Sequence, residues 1–143
     1  MSLATAPIED DILAVLRTTV FQVFDSEAPE DSVIPVTNGL FSPYLSVYFG
    51  GPISAPGDKH LTSNRNDTTI VTCTVQVNAA RSSEAKSVKD IVVNLLTGHT
   101  PPDAGSMTLE GGMGYSKAST IDRPTVYIRE LAFSMRANLT FVA

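Results

Sequence analysis

A polar stretch of 18 residues, Gly50 to Asp67 (GGPISAPGDKHLTSNRND), lies between two clean strand patterns and sets the plan of the chain. Loops longer than about 12 to 15 residues are uncommon in compact domains and are usually functional or disordered. Three Gly, two Pro and the adjacent Asp58, Lys59 and His60 leave this one no apolar periodicity to bury. It reads as an arm or a lid. A lid would close over acids, bases or nucleophiles supplied elsewhere, whereas an assembly arm needs only another protein surface. The search for those catalytic partners therefore decides the functional class.

The flanking patterns are half-buried strands. In Tyr44–Phe49, Leu45, Val47 and Phe49 fall on one face and Tyr44, Ser46 and Tyr48 on the other. In Thr68–Ala79, Val71, Cys73, Val75 and Val77 alternate with Thr72, Thr74, Gln76 and Asn78. Ahead of them, Ile8, Ile12, Val15, Thr19 and Val23 recur at helical spacing, flanked by Leu13, Leu16, Val20 and Phe24, and predict an amphipathic helix reaching towards residue 24. Thr5 is its expected N-cap, Pro7 is tolerated in the first turn, and Glu9 to Asp11 sit at the positive end of the helix dipole. A second helix is predicted over residues 83–97, capped by Ser82 or Ser83. Ala85, Val88, Ile91, Val92, Leu95 and Leu96 form its stripe, and Gly98 stops it.

From Gly98 to Pro124 the chain is rich in Gly and Pro and reads as irregular, with a short strand suggested only at Met107–Leu109. One long strand is then expected over residues 125–142. Its apolar phase runs on odd positions from Leu131 but on Val126 and Ile128 before residue 130, so a bulge, a bend or a second contact surface is expected there. Such a strand would reach about 60 Å at about 3.3 Å per residue, more than a small domain needs.

These elements predict an α+β fold, a small antiparallel or mixed sheet of about four strands with two helices packed on one face, as a single domain spanning 1–143. The length of 143 residues suffices to bury about two-thirds of the unfolded surface. Cys73 is the only cysteine, which excludes an internal disulfide. No apolar run approaches the roughly 20 residues of a membrane span, and the N-terminal segment is acidic where a secretory signal would be basic. A soluble protein, intracellular when made and without membrane contact, is expected. The net charge of -5 is uneven: residues 1–31 hold Glu9, Asp10, Asp11, Asp25, Glu27, Glu30 and Asp31 against Arg17 alone. With no basic cluster to neutralise phosphates, tight nucleic-acid binding is not expected.

The search for chemistry finds little. Cys73, in phase with Val71, Val75 and Val77, reads as an inert core thiol, since a nucleophile wants an exposed, electropositive setting. His60 and His99 lie in loops without a ligand-spaced partner, so no metal site is expected. The carboxylates concentrate on the first helix and its exit, as a solvated face would, rather than converging on a pocket. Gly111, Gly112 and Gly114 lack the helix and Lys-Ser/Thr of a phosphate loop and read as a flexible turn. No catalytic, cofactor-binding or metal residue is assigned, and an enzyme is not expected. The arm's charged positions, Asp58, Lys59, His60 and Arg65, are candidate assembly contacts. The polar sheet face (Ser46, Thr72, Thr74, Gln76, Asn78 and Ser134) is a candidate lining for a channel or a neighbour.

The order of a helix (IEDDILAVLR), a strand (YLSVYF), a long polar arm, a second strand (TTIVTCTVQVNA), a capped helix (SVKDIVVNLL) and a terminal strand (VYIRELAFSMR) resembles the tail terminator proteins of long-tailed, siphovirus-type bacteriophages. The likeness is greatest to those of phages infecting actinobacteria. It covers Ile8 to Arg136 as a pattern of elements and fixes no individual residue. The resemblance implies a virion structural protein without cofactors. Such a protein forms a homohexameric ring at the head-proximal end of the tail, after assembly in the host cytoplasm. Its partners would be the major tail tube protein, whose polymerisation it terminates, and the head–tail connector protein, with DNA passing through unbound. Another neck or tail tube component of the same virion is the alternative. A small-ligand binding module or enzyme would instead show a deep pocket with convergent polar groups.

Overall fold

The computed structural model describes residues 2–3, 6–26, 36–37, 40–54, 69–102, 104–117, 125–137 and 141–142. In chain order the elements are β1 (Ser2–Leu3), α1 (Ala6–Leu16), β2 (Gln22–Asp25), β3 (Val36–Thr37), β4 (Leu40–Phe41), β5 (Tyr44–Ser54), β6 (Thr69–Ala79), α2 (Ser82–Leu96), β7 (Thr108–Lys117), β8 (Val126–Ala137) and β9 (Phe141–Val142). Five strands form the main sheet in the order β2-β5-β6-β8-β7, one more than the sequence suggests. The sheet is mixed: β2 runs parallel to β5 and the other neighbours are antiparallel. β1 pairs with β9, and β3 with β4, as two separate ribbons.

Both helices bury their stripes against one face of the sheet. Ile8, Ile12, Leu13 and Leu16 of α1 and Val88, Val92 and Leu96 of α2 meet Leu45 and Val47 of β5, Val71, Cys73, Val75 and Val77 of β6, and Leu131, Phe133 and Met135 of β8. The register explains the shared face. Val47 opposes Val75, which opposes Leu131, and Cys73 opposes Phe133, so period-two alternation sums to one apolar sheet.

The first helix is shorter than its periodicity predicts. It ends at Leu16, and the turn tightens: the Thr18 and Thr19 amides bond to Val15 and Leu16 at three-residue spacing, and their hydroxyls donate to the same carbonyls at 2.6 Å. That back-bonding competes with helical propagation. Val20, expected beside the stripe, is 95 % exposed. Val23 and Phe24 enter β2 instead, because the edge of β5 offers them backbone partners and a half-buried pleat suits β-branched and aromatic side chains.

In α2 the stripe holds except at Ile91, which is exposed. Its N-cap is Arg81 rather than Ser82 or Ser83, with extended backbone and no side-chain capping bond. Thr97 closes the helix, and Gly98 follows at φ +83°, the left-handed conformation that glycine adopts without strain.

The irregular reading is corrected for residues 108–117, while residues 118–124 lie outside the described residues. Gly111, Gly112 and Gly114 form no flexible turn but lie inside β7, a ten-residue edge strand. A bulge between Leu109 and Gly111 and three glycines hide the alternation by which a strand is recognised. The arm is also shorter than it reads. Gly50–Ser54 continue β5, with a register shift between Gly50 and Ile53 and Gly51 at φ +88°. Finally, the pairing of β6 with β8 runs unbroken from Thr69↔Ala137 to Ala79↔Tyr127, so the phase flip before residue 130 is no bulge in β8. Ile128 is instead buried on the face opposite the helices, and the expected single long strand is two, β8 and β9.

Candidate functional site

The sheet face turned away from the helices is built by the register in cross-strand rows. One row runs Ser46, Gln76, Glu130, Met113; the next runs Tyr48, Thr74, Ala132, Gly111; a third runs Gly50, Thr72, Ser134, Thr108. All six candidate face residues, Ser46, Thr72, Thr74, Gln76, Asn78 and Ser134, therefore share this face. Their exposure divides them. Thr72, Thr74, Gln76 and Ser134 are half-exposed, whereas Ser46 and Asn78 are only 2 % and 3 % exposed and cannot line a passage in the chain as folded. Alternation fixes which face a residue occupies, not what covers it. In the register Phe24 opposes Ser46 and Tyr44 opposes Asn78. The Phe24 and Tyr44 rings meet edge to face at 5.8 Å, with Phe41 6.0 Å from Tyr44, which makes this end of the face aromatic.

The centre of the face carries a hydrogen-bonded group that sequence reasoning missed. The Tyr115 hydroxyl donates to Glu130 Oε1 at 2.6 Å, and Gln76 Nε2 donates to the same oxygen at 3.3 Å and to the Tyr115 hydroxyl at 3.4 Å. The bond to the Glu130 carboxylate holds the Tyr115 phenol above its ordinary pKa. Ser134 donates to Glu110 nearby. Glu110 and Tyr115 could be placed here only by recognising β7, whose glycines conceal it. A groove of about 360 Å³ at the margin is lined by Thr108, Glu110, Ser134 and Arg136. On the helix side, grooves of about 280 and 440 Å³ flank β7, the first by Ser82, Tyr127 and Arg129, the second by Lys89, Leu109 and Leu131.

The remaining candidates are placed as follows. Asp58, Lys59, His60 and Arg65 lie outside the described residues. His99 does have a partner: its Nε2 is 2.6 Å from Asp11 Oδ2, tying the loop after α2 to α1. Among the described residues no three His, Cys, Asp or Glu groups are placed to hold a metal ion. No helix among them is long and apolar enough to cross a membrane.

Cys73 is fully buried, and its thiol is pushed up to about 12 by burial and secondarily by the charge of Glu9. A thiolate is therefore inaccessible at neutral pH. Cys73→Ala is expected to cost about 1–3 kcal/mol as a core truncation. Thiol reagents should label the native protein only as fast as it unfolds, and rapid labelling would contradict this placement.

Glu9 is raised above the usual carboxylate range by burial first, then by the negative charges of Asp25 and Asp10. A carboxyl raised in the folded state contributes stability below its unfolded pKa, and that contribution is lost as pH rises through the folded value. Glu9→Gln should therefore be the more stable protein at neutral pH, by less than about 1 kcal/mol. The two melting curves should converge below the carboxylate range. A gain that persisted unchanged in acid would rule out this origin.

Compared with known proteins, the chain matches no protein-family model, and no curated protein is similar to it in sequence.

Proposed function

We propose that the chain is a structural virion subunit of the tail-terminator type: a ring of six that caps the finished tail tube, stops its polymerisation and presents a docking surface to the head–tail connector. The observation that carries this reading is the one-sided sheet. Both helices and the apolar core occupy one face, while the other presents hydroxyls, an amide and carboxylates across three long strands. Antiparallel sheets commonly leave one face to water, and a ring subunit would use that face for the lumen and its edges for its neighbours. The order of elements that resembles the family supports the same reading.

The chemistry of the face suits a passage that DNA slides through. DNA presents a dense line of negative charge, and a basic wall would hold it through counterion release. Thr72, Thr74 and Gln76, with Glu110 and Glu130 among them, offer no such grip, and Arg136 at the margin is the main basic exception. Thr72→Lys combined with Thr74→Lys should leave the fold intact, because both side chains are half-exposed on the face away from the core. Genome ejection should slow. Subunit counting in intact particles should give six copies at the head-proximal end of the tail. A single copy per particle, or unchanged ejection kinetics in the double variant, would sink the proposal.

A further inference from the structure

Charge on the helix side of the sheet is gathered into two blocks of opposite sign. The acidic block lies at the β2 edge. Asp25 ends β2 and opposes Val47 in register, so it shares the face on which the helices pack. Asp25 and Asp10 of α1 both stand exposed, and they lie close enough to the half-buried Glu9 that each raises its carboxyl by repulsion. The three carboxylates are not placed to share a metal ion. Like charges held together in this way oppose one another, and a cationic partner relieves them.

The basic block lies at the other edge. α2 packs on β6 and β8 rather than on β7, which leaves a cleft between the helix and that strand, floored by Arg129 and Leu131 of β8. Gly112 and Gly114 keep the β7 wall free of side chains. A Cβ at Gly114 would sit 3.0 Å from Cδ, Nε and Cζ of Arg129, so the guanidinium lies across the strand only because glycine stands there. On the α2 wall, Lys86 falls at helical spacing between Ser82 and Lys89, which line the cleft. The ion pairs among the described residues join Arg81 to Glu84, Lys89 to Asp90 and His99 to Asp11, and none of them includes Lys86 or Arg129. Charge taken partly out of water is normally paired, yet Arg129 is half-buried and has no carboxylate beside it.

We infer that the acidic block of one copy of this chain, through Asp10 and Asp25, docks against the α2–β7 cleft of the next, where Arg129 and Lys86 receive it. The two blocks are opposite in sign, share the helix side of the sheet and occupy its opposite edges, β2 and β7. Each copy therefore offers one half of the contact at either side. Such a contact is heterologous: copies add head to tail with their helix sides facing alike, and they close into a ring when the rotation per copy allows. Charge also opposes the wrong pairings, since acid against acid and cleft against cleft repel. The inference rests on the ring reading for the number of copies at closure, and it names the contact that joins them.

The test uses the purified full chain in sedimentation velocity. In about 20 mM salt, where charges act over roughly 20 Å, the chain should self-associate at hundreds of micromolar, and about 0.5 M salt should weaken this at least tenfold. Two double variants, Asp10→Lys with Asp25→Lys and Lys86→Glu with Arg129→Glu, should each melt cooperatively and stay monomeric. Mixed in equal amounts they should form a 1:1 heterodimer that does not grow, because each retains the half of the contact that the other lacks. Lys86→Glu alone, at an exposed helical position, should weaken association several-fold, which keeps the test open if the change at position 129 disturbs folding. A chain that is monomeric in low salt overturns the inference. So does association indifferent to Lys86→Glu, or folded double variants that fail to pair when mixed. The ring reading fails separately: a heterodimer with a single copy per particle would keep this contact and remove the ring, whereas six copies assembled from either double variant would keep the ring and remove this contact.

Discussion

Phe133→Ala is expected to destabilise the protein by about 3–5 kcal/mol, a large share of the roughly 5–15 kcal/mol that holds a domain of this size. Phe133 is 1 % exposed and heads the largest fully buried side chains. In the register it opposes Cys73 on one side and Leu109 on the other, and it belongs to the cluster formed with the α1 and α2 stripes. Truncation loses the transfer free energy of the ring and leaves a cavity that neither helix can close without giving up its own packing. Urea unfolding should show a lowered midpoint at an unchanged slope. Ala132→Ser, one residue along the same strand but half-exposed on the opposite face, should stay within about 0.5 kcal/mol. If Phe133→Ala cost no more than Ala132→Ser, the core would not lie where the register places it.

Gly112→Val should cost about 1–3 kcal/mol through overpacking and should unseat β7 first. The added Cβ would sit 2.8 Å from the Glu130 carbonyl oxygen and 3.3 Å from Leu131 Cδ2. The oxygen belongs to the backbone of the paired strand, so relief requires β7 and β8 to separate, not a side chain to turn. Hydrogen exchange should accelerate over residues 108–117 while β5 and β6 remain protected. Gly111→Ala has open space around it and should be neutral in the isolated chain, within about 0.5 kcal/mol. Equal tolerance at the two positions would mean that β7 is not seated on β8 in this register.

Where hydrophobic periodicity was uninterrupted, local pattern and tertiary structure agree. The 2.0 period of Val71, Cys73, Val75 and Val77 and the spacing of Ala85, Val88, Val92 and Leu96 each demand one buried face, and each has it. Period continued past α1 misleads, because Val23 and Phe24 fit a helix and a strand equally well by spacing. The free edge of β5 decided between them. Burial of Ser46 and Asn78 was equally out of reach, since alternation names a face but cannot say that aromatic residues from β2 and β5 gather at one end of it.

The sequence alone determined the class of fold, the two helix stripes, the inert core position of Cys73 and the shared face of Ser46, Thr72, Thr74, Gln76, Asn78 and Ser134, because each follows from short-range periodicity acting on one apolar core. Only the tertiary structure decided that the glycine-rich segment is the edge strand β7, that Tyr115, Glu130 and Gln76 meet, and that His99 reaches Asp11 from 88 positions away. Those depend on which strand lies beside which. That choice is made by long-range pairing and packing, which glycine, bulges and loops leave unwritten in the local pattern.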